Sequence, residues 1–169
     1  MGNSLKPSAV VLAFTFLLLA MGPRSGHGQE TGRLFPDRSW IPLLLAGPRD
    51  PTSSFSPLLV RQNPNSHGKG GEVEVSIGTT IPVLLFQNET ENRHLVVGIE
   101  AAAFARFGLQ VLERELIATD WVFAVPIVLH RDGGWFRFRY YHTSSHMGDE
   151  YARRFDEPGM NFARDAAEI

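Results

Sequence analysis

The stretch from His94 to Phe107, HLVVGIEAAAFARF, decides the fold that the sequence predicts. Its odd-numbered positions are apolar, whereas Glu100 and Arg106 stand at even-numbered positions. Side chains alternate between the two faces of a β-sheet, so a period of two predicts a strand with one apolar face. The apolar set is Leu95, Val97, Ile99, Ala101, Ala103, Ala105 and Phe107. The stretch exceeds the usual strand of about five or six residues and therefore predicts a long strand.

The same alternation recurs on both sides of this stretch. It is present in Glu72–Phe86, Glu115–His130 and Trp135–Ser145, and Met160–Ile169 is a fifth candidate strand. The sequence Arg131-Asp132-Gly133-Gly134 predicts a tight hairpin turn before the last of the long strands. Neighbouring strands joined by short turns pair antiparallel. Residues 72–169 therefore predict an all-β fold, an antiparallel meander of long strands.

One apolar and one polar face on every long strand fits two architectures. Strands of about 9–11 residues cross a bilayer when tilted, with the apolar face toward lipid and the other toward a polar lumen. A soluble β-sandwich or lipocalin-like barrel also alternates. We expect part of an outer-membrane-type β-barrel, because the strands are long. In the predicted strand Glu72–Phe86, the odd-numbered positions from Val73 to Leu85 form the apolar face.

Closure of such a barrel needs more strands than these segments supply. About eight strands are the practical minimum for a filled barrel, and an open sheet edge in lipid leaves backbone groups without partners. We therefore expect the chain to be a fragment of a longer protein. The alternative is self-association, in which other copies supply the missing strands.

The first 28 residues have the order of a secretory signal peptide. Lys6 gives a positive start, Ala9 to Met21 is an uninterrupted apolar run, and Gly26-His27-Gly28 supplies small residues before Gln29. The apolar run is shorter than the roughly 20 residues of a membrane helix. Residues 1–28 thus predict export, with an uncleaved N-terminal anchor as the alternative.

Residues 29–71 form a zone rich in proline and glycine. Proline fixes φ and removes a hydrogen-bond donor, so we expect irregular structure here. Trp40 and the apolar residues that follow it, as far as Leu45, are suited to docking against another surface. The zone is interpreted as an extended N-terminal arm that packs on the barrel, or else as a flexible linker.

The densest polar segment is His142–Glu150, HTSSHMGDE. The simplest interpretation is structural: the histidines form hydrogen bonds where a strand leaves the bilayer, and Asp149 and Glu150 cap or pair with Arg153 and Arg154. A metal site would use His142, His146, Asp149 and Glu150. Two histidines four residues apart on a strand are separated by roughly 13 Å. They converge only if the chain turns at Ser144-Ser145.

A catalytic interpretation of this segment uses Ser144 as nucleophile and His142 as its base. Asp156 or Glu157 would orient the imidazole, as in other serine hydrolases. The His-x-Ser pair resembles that of the outer-membrane lipid A deacylases, and the segment from Glu157 to Phe162 is loosely similar to the one after their acid. The sequence departs from them at Ser145, where those enzymes usually have asparagine. The resemblance implies a lipid-directed hydrolase.

Arg137 and Arg139 alternate with Phe136, Phe138 and Tyr140, so they belong to the polar face. Carboxylates on neighbouring predicted strands can pair with them. The candidates are Glu100, Asp120, Glu72 and Glu74. Paired arginines would fill the interior as a plug, whereas unpaired arginines would favour anions in a pore.

Composition restricts the remaining classes of function. The chain has no cysteine, which excludes disulfides, thiolate metal sites, a cysteine nucleophile and a lipoprotein anchor. It carries 16 basic and 18 acidic residues without a basic cluster, which argues against a nucleic-acid partner. No motif indicates a cofactor, and none is expected. The expected partner is outer-membrane lipid.

Two stretches resemble one bacterial family, and the first of them has two parts. The first is Arg33–Pro36 followed by Pro42–Pro51, and the second is Tyr141–Tyr151. The chain is similar to domain of unknown function 1207 over about residues 30–165. The resemblance implies a likeness to outer-membrane barrels and members longer than this chain, but no activity. We therefore expect a structural or transport barrel in the outer membrane. The alternatives are the lipid-directed hydrolase and a soluble barrel-shaped binding protein in the periplasm.

Overall fold

The computed structural model describes residues 30–44, 50–60, 70–88, 90, 92–109, 115–156, 158–159 and 161–169. Within them, seven strands form one antiparallel sheet. The strands are β1 (Glu30–Leu34), β2 (Ser54–Val60), β3 (Gly70–Asn88), β4 (Arg93–Gly108), β5 (Leu116–Arg131), β6 (Gly134–Met147) and β7 (Asn161–Glu168). The predicted all-β antiparallel meander is confirmed. The predicted signal peptide lies outside the described residues.

Strands β3 to β7 follow one another in the sheet in chain order, while β1 and β2 both pair with β3. Glu30 lies opposite Asn88 and Ser54 lies opposite Ser76, so the two short strands occupy different halves of the same side of β3. The prediction that residues 29–71 are irregular was therefore wrong for these two segments. Pro57 is tolerated in β2 because an edge strand does not need every backbone donor.

The alternation of β3 shifts at a β-bulge between Pro82 and Leu84. Val83 has no direct partner on β4, so the residues after it change face. Leu84 and Phe86 join the apolar face, and Leu85 turns to the opposite face, where it is buried. The prediction that Leu85 continues the apolar face was therefore wrong. Pro82 accounts for the break, because proline cannot donate to the ladder.

The two faces of the sheet differ in exposure. We call the face that carries the predicted apolar side chains the outer face. It exposes seven large apolar residues on β3 to β6: Ile77, Ile81, Ile99, Trp121, Phe123, Val125 and Phe136. The opposite face, which we call the inner face, buries a small apolar cluster of Ile41, Leu85, Val96 and Val128 beside Trp40.

The described residues of the N-terminal arm between β1 and β2 lie on the inner face, where Ile41 and Pro51 fit against two glycines. A Cβ atom on Gly98 would come within 2.5 Å of Ile41 Cδ1, and one on Gly78 within 2.8 Å of Pro51 Cα. The absent side chains thus make room for the arm. A histidine of β5 holds it as well, since His130 Nε2 lies 2.8 Å from the backbone oxygen of Trp40.

Charged residues on the inner face form a buried cluster of two arginines and three carboxylates. Arg139 Nε donates to Glu100 Oε2 at 2.6 Å, as the sequence predicted. Arg137 instead pairs with Asp50 of the arm at 3.2 Å and with Glu168 of β7 at 2.8 Å. Four of the five side chains are almost fully buried. Their ion pairs join the arm to β4, β6 and β7.

The other predicted acidic partners lie elsewhere. Glu72 and Glu74 pair with Arg106 of β4 rather than with the arginines of β6. The sequence offered these two glutamates only as alternatives to Glu100, and Glu100 is the alternative that pairs with Arg139. The reason is register, because Glu74 lies directly opposite Arg106.

A short helix, α1 (Asp149–Phe155), connects β6 to β7. Its acidic residues lie in the first turn, where a carboxylate is favoured by the helix dipole. Arg154 pairs with Glu115 at 2.9 Å, and Arg153 bonds the backbone oxygen of Asp149. The helix is thus attached to the start of β5. No helix within the described ranges is long and apolar enough to cross a membrane.

Candidate functional site

Polar side chains gather on the outer face where β6 and β7 pair. His142 lies opposite Asp165, and His146 lies opposite Asn161. Directly opposed residues of two paired strands share a face, so these side chains lie side by side. We call the group the polar patch; its members are Tyr140, His142, Ser144, His146, Asn161 and Asp165.

A chain of hydrogen bonds runs through one half of the polar patch. Ser144 Oγ lies 3.4 Å from His146 Nε2, and His146 Nδ1 lies 3.2 Å from Asn161 Oδ1. When the amide oxygen of Asn161 accepts from Nδ1–H, the other ring nitrogen is left to accept the serine proton. A hydroxyl, a base and a group that orients the base are the three parts of an activated serine nucleophile.

The other half of the polar patch contains a second histidine with a different partner. His142 Nδ1 lies 2.9 Å from Asp165 Oδ1, and the Tyr140 hydroxyl also donates to Asp165. The histidine that bonds Ser144 is thus His146, two positions along β6, and not the predicted base His142. Asp165 is the carboxylate that orients His142.

The two acids proposed from the sequence have other positions. Asp156 is the exposed C-terminal cap of α1, with a left-handed φ of 52°. In the described part of the chain, no contact joins it to Ser144. Glu157 lies outside the described residues. The catalytic hypothesis therefore keeps Ser144 and exchanges its base and orienting group for His146 and Asn161.

Ser144 has a large apolar side chain on one side and a small one on the other. Trp121 of β5 lies opposite it across one ladder, and Ala163 of β7 lies opposite it across the other. Phe123 is the corresponding neighbour of His142. Both aromatic side chains are exposed. The polar patch therefore borders the exposed apolar surface of the outer face.

The residues proposed for a metal site do not converge. Strand β6 stays extended through Ser144 and Ser145, so His142 and His146 remain four positions apart on a strand. Asp149 and Glu150 begin α1 beyond the end of that strand. Over the ranges that the structure describes, no three histidine or acidic side chains are grouped to hold a metal ion.

Sequence reasoning missed the β7 members of the polar patch. Asn161 and Asp165 alternate correctly for one face, but their alignment with β6 depends on the helix that connects the strands. A one-residue slip would turn both side chains to the other face. The sequence carries no signal that fixes this register before the helix is known.

Comparison with known proteins identifies a family without adding an activity. Neither a curated protein nor a solved structure matches the chain. The sequence model of one family, described as "Protein of unknown function (DUF1207)", matches residues 29–168. This match includes the arm, all seven strands and the polar patch. The family expected from the sequence is confirmed: the chain belongs to the DUF1207 family of proteins of unknown function.

Proposed function

We propose that this domain is a lipid-embedded wall segment of an outer-membrane β-barrel, closed on its inner side by its own N-terminal arm. The observation that carries the proposal is the exposed outer face. Ile77 is 69%, Ile99 51% and Phe123 57% exposed, and these side chains lie on three successive strands. Soluble monomers rarely expose a continuous apolar surface larger than a few hundred Å². Lipid is the partner that such a face fits.

Strand length supports the same partner. The shortest of the four long strands, β6, has 14 residues, and β3 has 19. About 9–11 tilted residues are enough to cross the hydrocarbon core. Each long strand can therefore span a bilayer and extend beyond it, so the polar patch can lie at the edge of the apolar zone.

The inner face supports a structural role rather than an open channel. Arg137 and Arg139 are almost fully buried and paired with carboxylates, so they are not available to attract anions. Ile41 and Pro51 of the arm occupy the spaces above two glycines of the sheet. The paired charges and the arm thus fill the side that would become the lumen. We infer a plug or spacer on this part of the wall.

Closure of the barrel requires further pairing at the two sides of the sheet. Within the described residues, β7 pairs with β6 alone, and β1 and β2 pair with β3 alone. Unpaired backbone groups in hydrocarbon cost several kcal/mol each. Strands from another part of the protein or from a second copy therefore complete the wall.

Fractionation of cells that express the full-length protein tests this proposal. We expect the protein in the outer-membrane fraction after alkaline carbonate washing, with a gel mobility that changes on heating. Release with the soluble periplasmic contents, and a mobility unaffected by heat, would instead support the soluble binding protein.

A pair of charge substitutions tests which face meets lipid. Ile99 lies near the middle of β4 and is 51% exposed, whereas Leu109 follows the end of that strand and is 47% exposed. An arginine on the lipid face costs roughly 2–4 kcal/mol at the midplane and about 0–1 kcal/mol near the interface. We therefore expect Ile99→Arg to impair assembly and Leu109→Arg to be tolerated. Equal tolerance of both variants would refute the proposed orientation.

A further inference from the structure

We propose that Ser144, His146 and Asn161 hydrolyse acyl esters, and that the substrate is an acyl chain of a membrane lipid. Ser144 and His146 are the catalytic residues, and Asn161 is a positioning residue. The chemistry follows from the two hydrogen bonds of the polar patch. Only the source of the substrate rests on the proposed membrane location.

Ser144 and His146 supply the nucleophile and the base that acyl transfer requires. Ser144 Oγ attacks the ester carbonyl carbon while His146 Nε2, 3.4 Å away, takes the hydroxyl proton. The new Oγ–C bond forms, the ester C–O bond breaks, and the proton passes from His146 to the leaving alcohol. Water then attacks the acyl-serine with His146 again as base. The acyl–Oγ bond breaks and His146 returns the proton to Ser144 Oγ. The products are the alcohol, a carboxylic acid and the free enzyme.

Asn161 determines which ring nitrogen of His146 serves as the base. Its amide oxygen lies 3.2 Å from Nδ1, and an acceptor there fixes the proton on Nδ1. The lone pair on Nε2 then faces Ser144. An amide performs this orienting role in other hydrolases whose base is a histidine.

His142 has a different hydrogen-bond partner from His146. His142 is bonded through Nδ1 to Asp165, which also accepts from Tyr140. Both histidines bond β7 through Nδ1, but only the Ser144–His146 bond joins either of them to Ser144 among the described residues. His142 is therefore not the base that the hydrogen bonds assign to Ser144. Substitution of the two histidines separates the base assigned by this geometry from the one expected from the His-x-Ser pair.

The apolar neighbours identify the class of ester. Trp121 and Phe123 of β5 flank the patch and are exposed on the same face. Ala163 on the other side leaves room beside the serine. An acyl chain lying against the two aromatic side chains would bring its carbonyl group to Ser144. A short acyl group would gain little from this surface.

A covalent probe tests the nucleophile directly, because it reacts with an activated serine whatever the natural substrate is. The full-length protein in detergent micelles is treated with an alkyl fluorophosphonate, and the adduct is located by mass spectrometry. The serine oxygen bonds to phosphorus, fluoride leaves, and the hydroxyl proton goes to His146. We expect an adduct on Ser144, no adduct there in Ser144→Ala, and normal labelling in Ser145→Ala, which changes the neighbouring inner-face hydroxyl. Absence of an adduct on Ser144 in the wild-type protein would overturn the proposal.

The rate of labelling tests the base. General-base catalysis contributes typically 10²–10⁴-fold, so we expect His146→Ala to slow labelling by roughly 10²-fold or more. The loss in His142→Ala should be clearly smaller. The reverse order, or a normal rate in His146→Ala, would overturn the assignment. Heat-modifiable mobility of each variant separates loss of chemistry from loss of folding.

Two Asn161 variants test the positioning role. We expect Asn161→Ala to slow labelling and Asn161→Asp to restore it, because a carboxylate also accepts from Nδ1–H. A carboxylate stabilises the imidazolium as well, so the acidic limb of the pH–rate profile should move to higher pH in Asn161→Asp. A role in strand pairing alone would leave that profile unchanged and would refute the relay.

Substrate length tests the lipid assignment. We expect faster release of nitrophenol from p-nitrophenyl octanoate than from p-nitrophenyl acetate, with the preference reduced in Phe123→Ala. Equal rates for the two esters would refute an acyl-chain substrate while leaving the membrane location to the fractionation experiment. A protein that is soluble yet labelled on Ser144 would refute the location and retain the chemistry.

Discussion

Replacement of Arg139 by methionine tests whether the buried charge cluster holds the sheet together. The cluster contains the carboxylates of Asp50, Glu100 and Glu168 and the guanidinium groups of Arg137 and Arg139. Its formal charge is therefore −1. Arg139→Met keeps most of the side-chain volume and raises the imbalance to −2. The substitution leaves Glu100, whose side chain is 1% exposed, without its guanidinium.

The expected cost follows from the contacts that are lost. Removal of one partner from a buried ion pair costs about 3–5 kcal/mol, because the remaining charge stays away from water. The Thr80 hydroxyl, at 3.3 Å, is a second donor to Glu100 and compensates only in part. Arg139 also lies 4.9 Å from the centre of the Tyr141 ring, and this contact is lost as well. We therefore expect the free energy of unfolding to fall by at least about 3 kcal/mol.

Two companion variants distinguish a lost charge pair from lost packing. Glu100→Gln leaves two carboxylates with two arginines, and its amide oxygen can still accept from Arg139 Nε. We therefore expect the free energy of unfolding to fall by about 1–3 kcal/mol. The double variant, Glu100→Gln with Arg139→Met, removes both buried charges of the pair. It should be more stable than Arg139→Met alone.

Urea unfolding of the full-length protein in detergent micelles measures these changes. Tryptophan fluorescence can follow the transition, since the chain has three tryptophans. A loss of less than about 1 kcal/mol in Arg139→Met, the range of an exposed ion pair, would refute the reasoning. Additive effects in the double variant would show that the two charges do not interact.

Three further substitutions probe the arm, the helix and the hairpin. Gly98→Ala should destabilise by about 1–3 kcal/mol because the new methyl group meets Ile41, and Ile41→Val should recover part of this loss in urea unfolding. Arg154→Met should lower the free energy of unfolding by about 1–2 kcal/mol, less than the loss of a fully buried pair, because Arg154 is 35% exposed. It should also increase proteolysis near α1, and an unchanged cleavage rate would contradict the role of the pair with Glu115. Gly133→Ala should cost roughly 1 kcal/mol because φ is 79° there, which a melting temperature equal to wild type would contradict.

The sequence predicted the features that depend on local periodicity. The alternation from Leu95 to Phe107 determined both the strand and the exposed face of β4, because neither depends on distant contacts. The same held for the hairpin at Asp132 and Gly133, whose positive φ values suit those residue types. The pairing of Arg139 with Glu100 followed from two residues that alternate onto the same face.

The features that sequence reasoning missed depend on alignment over long distances. A single residue without a partner on β4, Val83, reverses the facing of Leu85, and periodicity alone does not locate the point of reversal. The arm was expected to be irregular because it is rich in proline, but β3 offers an unpaired edge that overrides this local preference. Asn161 was missed because its place beside His146 depends on the connection through α1.

The distances along the chain between the cluster residues have a consequence for the order of folding. Strand β2 can pair with β3 early, because the two are close in sequence. Asp50, however, binds an arginine 87 residues later, on β6. Its attachment waits until β6 has formed. The part of the arm around Asp50 is therefore synthesised before the long strands but becomes fixed among the last. Any delay in forming β6 therefore prolongs a state in which apolar residues of the arm, such as Ile41, are exposed to unwanted association.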